Sequence, residues 1–367
     1  MSDRFRELLR KVGSGQHTSE SLSRQDAADA ARMMLTQEAT PAQIGAFMIA
    51  HRIRRPTGEE LAGMLDAYKE LGQQLSPINA PYRPVVMNSP YDGRSRTAPI
   101  SPITSLILAT AGCPTVLHGG MRMPTKYGLP FVEIWQGLGL NWAGLSMAQV
   151  QSVFEKTRLG FVYLPDQFPL AQGLVPYRDQ LGKRPPQATL ELMWSPYRGD
   201  ALVICGFVHP PTEQMIQEAL TSHGVSSFIT IKGLEGSCDL PRDRTCIIGL
   251  FTTSESTSVD SLGEPQSEMK RLLLHPKDYG FEGKDVALDA DAAYLDKVRS
   301  VLQGQSSELM QSAIWNGGFY LWQAGVCESL EAGLTRAEAM LTQGHAAQQL
   351  DQVKTALAEV RSPMVSR

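Results

Sequence analysis

Apolar positions in the first 75 residues recur at helical spacing. Phe5, Leu8, Leu9 and Val12 share one face, which ends at Gly13. Three further runs open on a hydroxyl residue whose third successor can bond back to it. Ser23-Arg-Gln-Asp26 precedes Ala27, Ala30, Ala31, Met34 and Leu35; Thr40-Pro-Ala-Gln43 precedes Ile44, Phe47 and Met48; Thr57-Gly-Glu-Glu60 precedes Leu61, Met64, Leu65 and Tyr68 and closes at Gly72. Each predicts a reciprocally capped helix start. Residues 76–83 form a proline-interrupted connector, and the pattern then changes. Short β-rich runs at 84–88, 114–118, 160–164, 201–207, 226–232, 245–251 and 269–275 alternate with helical runs at 102–111, 130–138, 147–157 and 211–222. That alternation predicts an α/β unit, a mostly parallel central sheet covered by helices, behind a small N-terminal helical domain. From about 289 to 360 the chain is helical again, and the polar segment 253–268 is expected to be a mobile surface excursion.

Length and composition narrow this picture. At 367 residues, with 42% hydrophobic and 20% charged residues, two globular domains are expected. Apolar stretches are too short and interrupted to cross a membrane, and the charged N-terminus does not resemble a secretory signal. Five scattered cysteines suit reduced thiols and a cytoplasmic location. A net charge of −4 gives no global attraction to nucleic acid or lipid. Locally, however, Arg83, Arg94, Arg96, Arg122 and Lys126 stand against Asp92 alone, so a cleft built from this segment would be basic.

Four loops could carry chemistry. Asn88-Ser-Pro-Tyr-Asp-Gly-Arg-Ser-Arg-Thr-Ala-Pro-Ile-Ser101 joins a strand to a helix N-terminus, where unpaired N–H groups favour an anion. There Asp92 and Gly93 shape a turn, Arg94 and Arg96 offer guanidinium forks beside Ser95, and Ser101 caps the helix. A solvated Asp/Gly/Ser/Pro turn is the plain alternative. His118-Gly119-Gly120, with Arg122 and Lys126 following, ends the next strand candidate and suits close backbone approach to a phosphate. Glu235 and Asp239 could hold Mg²⁺, or could be two acids on an exposed glycine-rich loop. Arg178 could bind a carboxylate or merely complement a helix end. No Walker motif, zinc spacing or complete dinucleotide fingerprint occurs.

Taken in order, several blocks resemble the anthranilate phosphoribosyltransferase family (glycosyl transferase family 3). They are Ala39-Thr-Pro-Ala-Gln-Ile-Gly-Ala-Phe47, Thr57-Gly-Glu-Glu-Leu-Ala62, Leu272-Leu-Leu-His-Pro-Lys-Asp-Tyr-Gly-Phe281, and Asn316-Gly-Gly with Gly325 and Gly333. The resemblance implies a nucleoside phosphorylase/phosphoribosyltransferase-like fold, with a helical domain 1–75, joined by helices from about 170–196, and an α/β domain 76–367. It implies a cleft for phosphoribosyl pyrophosphate, Mg²⁺ and an aromatic acceptor, and a homodimer through the helical domain.

The resemblance is weakest in the functional motifs. Where the family has Gly-Thr-Gly-Gly-Asp-Gly, this chain has Asn88-Ser-Pro-Tyr-Asp92-Gly93; Lys-His-Gly-Asn becomes Leu117-His118-Gly119-Gly120; and the metal pair Asp-Glu falls on Cys238-Asp239. Arg178 matches the arginine expected to hold the acceptor carboxylate, while the adjoining Asn-Leu-Gly-Pro-Leu is replaced by Ala188-Thr-Leu-Glu-Leu-Met193. Pro90-Tyr91 removes a backbone donor and fills space, and a lost metal carboxylate weakens neutralisation of departing pyrophosphate. The expectation is a pentosyl-transferase-like protein for a phosphorylated small molecule, with orthodox anthranilate transfer disfavoured. The rival is a non-enzymatic binder of single-stranded DNA or RNA, in a groove of Arg94, Arg96, Arg122, Lys126, Lys183 and Arg184.

Overall fold

The computed structural model describes residues 3–15, 17–253 and 267–362. The chain opens with four helices, α1 (Asp3–Gly13), α2 (Arg24–Leu35), α3 (Pro41–Arg54) and α4 (Gly58–Leu71). Both threonine starts close as reciprocal caps, Thr40 with Gln43 and Thr57 with Glu60. At Ser23 only half forms. Its hydroxyl accepts from the Asp26 N–H, but the Asp26 carboxylate turns to Arg4 and Lys11, whose charges outcompete a neutral N–H.

The second unit is laid down as β1 (Val85–Met87), α5 (Ser101–Thr110), β2 (Thr115–Gly119), α6 (Phe131–Gly137), α7 (Met147–Thr157) and β3 (Leu159–Tyr163). Four short helices follow: α8 (Leu164–Gln167), α9 (Pro169–Gln172), α10 (Val175–Leu181) and α11 (Gln187–Leu190). Of these, α10 packs on α3 and α11 on α4, so this excursion joins the N-terminal helices. The chain then returns to the sheet with β4 (Leu202–Gly206), α12 (Pro210–Ser222), β5 (Ser227–Ile231), β6 (Cys246–Thr253) and β7 (Ser267–Leu274). It ends in α13 (Asp291–Leu302), α14 (Glu308–Gln323), α15 (Leu330–Thr342) and α16 (His345–Arg361). Most of the segment expected to be a polar excursion, 254–266, lies outside the described residues.

The seven strands run in the order β3-β2-β1-β4-β5-β6-β7. The first five are parallel, and β6 and β7 are antiparallel additions at one edge. Every side chain of β1 to β5 is buried, as expected for strands covered on both faces. The chain steps from β1 outward to β2 and β3 on one side, then crosses back over the sheet to place β4 on the other side of β1. The carboxyl ends of β1 and β4 therefore flank the crevice where open α/β sheets take ligands.

Candidate anion site at the carboxyl ends of the strands

The loops after β1, β2 and β5 meet above this crevice, and their charged groups find one another. Arg94 is 4% exposed. Its Nη1 donates to Asp239 Oδ2 at 2.5 Å and to Ser237 Oγ at 2.8 Å, its Nη2 donates to Thr97, and its Nε lies 3.4 Å from Glu235 Oε1. Asp239 is completed by the Ser101 hydroxyl at 2.5 Å and the Ile100 N–H at 3.0 Å. The expected cap therefore does not form. Ser101 is the first helical residue of α5 and Ile100 precedes it without a side-chain cap, because the buried Asp239 carboxylate takes the hydroxyl.

Glu235 is gripped by the loop that was expected to grip phosphate. Its Oε1 accepts from the N–H groups of Arg96 and Thr97, both at 3.0 Å, and from the Thr97 hydroxyl at 3.0 Å. Its Oε2 accepts from Lys126 Nζ at 3.1 Å and from Ser95 through its hydroxyl at 3.2 Å and its N–H at 3.4 Å. Arg96 Nε stands 3.7 Å away on a side chain that is 77% exposed. Burial pushes the Glu235 carboxyl up, but Arg94, the Thr97 and Arg96 N–H groups and Lys126 outweigh it and hold the group far below the ordinary carboxylate range.

The remaining predicted residues divide. Asp92 is fully buried and accepts from Arg184 at 2.6 Å, with Arg178 3.8 Å away, so it faces inward. Gly93 has φ +74° and sits so close to Gly128 that a Cβ would stand 2.5 Å from its carbonyl oxygen. His118 is sealed between Tyr91, whose hydroxyl meets Nδ1, and Asn88, whose Oδ1 meets Nε2. Burial lowers its pKa to about 3, so the imidazole is neutral. Gly119 and Gly120 border what is left between the β1 and β2 loops, a cavity of about 20 Å³, roughly one water. Tyr91 also lines this cavity. Arg122 is drawn elsewhere, to Glu133 at 2.7 Å and to Asp291. Arg178 donates to Glu191 Oε1 at 2.6 Å, and Glu191 Oε2 accepts the Tyr91 N–H at 3.0 Å.

Glu191 was missed from sequence, although it stands in the stretch that departs from the family pattern. It occupies Arg178 as a bound carboxylate would. An open groove of about 890 Å³ was also missed. It runs between the helical and α/β parts, past Pro90, Phe207, Val208 and His209 at the β1/β4 crevice, and is lined by Arg52, Arg55 and Arg184. The run Arg52-Ile-Arg-Arg55 between two capped helices was the available signal. Arg52 and Arg55 have no carboxylate partner among the described residues.

The donor set does not suit Mg²⁺. Both carboxylates that could serve, Asp239 and Glu235, are filled by N–H groups, hydroxyls and cations, with the Arg94 guanidinium between them. Cys238 is a soft thiol that donates to the Asn88 carbonyl at 2.6 Å, its pKa raised by burial. Among the described residues no group of three or more metal-ligating side chains converges.

Comparison with known proteins agrees with the architecture. The model of a glycosyl transferase family helical bundle domain matches residues 6–72, and that of the family's a/b domain matches residues 92–347. The chain belongs to this glycosyl transferase family. An anthranilate phosphoribosyltransferase from Acetivibrio thermocellus is 25% identical over 94% of this chain and 95% of its own length. One from Azorhizobium caulinodans is 27% identical over 96% and 97%. The Saccharomyces cerevisiae anthranilate phosphoribosyltransferase, solved in complex with phosphoribosyl pyrophosphate and Mg, superposes with a TM-score of 0.81 over 98% of this chain and 99% of that one. At 15% identity it shows the fold alone. No described helix is long and apolar enough to cross a membrane.

Proposed function

We propose that this family member has kept the fold and the interdomain crevice but does not perform Mg²⁺-dependent phosphoribosyl transfer to anthranilate, and that it binds a phosphorylated ligand in the open groove. One observation carries this reading: the Arg94 guanidinium is seated against Asp239 and Glu235, so a cation already belongs to the fold where the donor's metal would be needed. Binding phosphoribosyl pyrophosphate with Mg²⁺ would require breaking a buried, charge-assisted network, at a cost of several kcal/mol. Glu191 on Arg178 opposes an anionic acceptor in the same way. Calorimetry with phosphoribosyl pyrophosphate and Mg²⁺, beside a turnover assay with anthranilate, tests this; neither saturable Mg²⁺-dependent heat nor product is expected. Either result would restore the transferase.

A second reading gives the ligand as single-stranded DNA or RNA. It is favoured by the groove's volume of about 890 Å³ and by Arg52 and Arg55, which have no carboxylate partner among the described residues. The groove differs from the one expected from sequence, since Arg94 and Arg122 are committed to carboxylates. A homodimer through the helical domain and a cytoplasmic location belong to the same proposal. Its support is the family's two-domain architecture and five free cysteines.

A further inference from the structure

The contacts around Glu235 are those of a bound anion. Three successive backbone N–H groups, from Ser95, Arg96 and Thr97, point at its carboxylate oxygens together with two hydroxyls. Arg94, Arg96 and Lys126 surround them. Successive N–H groups of this kind form a concave receptor for oxyanions. A carboxylate offers two oxygens and one negative charge. Three cations, only one of them shared with Asp239, suit a group with more oxygens and two charges.

The residue supplying the carboxylate sits unusually. Glu235 has φ +54° and ψ 22°, a left-handed conformation uncommon for a residue with a Cβ, and lies between Gly233 and Gly236. The turn is thus bent to deliver this side chain. Glu235 and Gly236 also line the open groove, which gives the side chain space to withdraw into and an incoming group a route to the receptor.

We propose that residues 95–97 with Arg94 and Lys126 form a phosphate receptor that Glu235 occupies as a built-in, displaceable plug, and that the ligand which displaces it is inorganic phosphate or a phosphate monoester. This extends the groove-binding reading but fails separately from it, because the test needs neither the groove arginines nor phosphoribosyl pyrophosphate. Thermal unfolding of wild-type protein and of Glu235→Ala would be compared in potassium phosphate and in potassium chloride at matched ionic strength, with phosphate titrated calorimetrically into both. The variant should gain on the order of tenfold or more in phosphate affinity, with its unfolding midpoint raised by phosphate over chloride. Wild type should bind phosphate saturably but more weakly by that factor, and adding Lys126→Ala should remove the gain; no saturable binding by wild type would show that the plug is not displaced. An equal response of wild type and variant would overturn the proposal. Glu235→Gln, which removes the charge but still fills the receptor, should gain less than the alanine variant and more than wild type, and serves if the alanine variant is poorly folded. Refolding of either in phosphate but not chloride supports the plug; failure in both counts against it.

Discussion

Glu60 shows what a buried acid costs and how this chain meets the cost. Its side chain is fully buried in the helical domain. It accepts from the N–H groups of Leu22 at 2.7 Å and Thr57 at 2.8 Å, bonds Arg54, and has His51 3.4 Å away. Burial alone would raise its pKa, but His51, Arg54 and the Leu22 N–H prevail and lower it to about 2. The folded form thus binds the proton less readily than the unfolded chain. The stabilisation is fully present above the ordinary carboxylate range and is lost as pH falls from about 4.5 through about 2. It amounts to about 3 kcal/mol at neutral pH. Urea midpoints for wild type and Glu60→Gln should therefore differ most near neutrality and converge toward about pH 2; a constant difference would refute the assignment. At the crevice Glu235 meets its burial in the same way, with Arg94 and Lys126 beside it, whereas at Glu191 burial outweighs Arg178 and raises the carboxyl pKa.

At the scale of elements, two of the glycines that carry the family resemblance, Gly318 and Gly333, are explained by close helix packing, whereas Gly325 meets nothing within 4 Å and is set by its φ of +72°. A Cβ on Gly333 of α15 would stand 2.2 Å from the Gly318 carbonyl oxygen of α14, and one on Gly318 would stand 2.7 Å from the Leu334 backbone nitrogen. The two helices touch through their backbones, so Gly318→Ala should destabilise by about 3 kcal/mol. Gly45, inside α3, meets nothing within 4 Å, and Gly45→Ala should instead stabilise by roughly 0.5–1 kcal/mol because alanine loses less backbone entropy. Chemical denaturation of the pair reads both signs in one experiment.

For the whole molecule, the groove's arginines are where the proposed single-strand reading is tested. If they meet the phosphates of a single strand, Arg52→Ala with Arg55→Ala should weaken oligonucleotide binding alike for different sequences. The pair should also flatten the salt dependence, by about 0.7 in log–log slope for each phosphate the protein no longer neutralises. Fluorescence anisotropy of a labelled oligonucleotide across a salt series measures both. No binding by wild type at low salt would leave a small phosphorylated molecule as the groove's ligand.

The amino-acid order alone determined the two-part architecture, all seven strands and most helix limits. Hydrophobic period, caps and prolines are local signals that each element satisfies by itself. It also placed Arg94, Arg96 and Lys126 on loops that converge. Only the tertiary structure decided what they converge on. Glu235 comes from the loop after β5, about 140 positions away, and Glu191 from a helical excursion that folds back onto Arg178. A charge's partner is set by which loops the sheet order brings together, so a basic segment in sequence became, once folded, a set of cations paired with the protein's own acids.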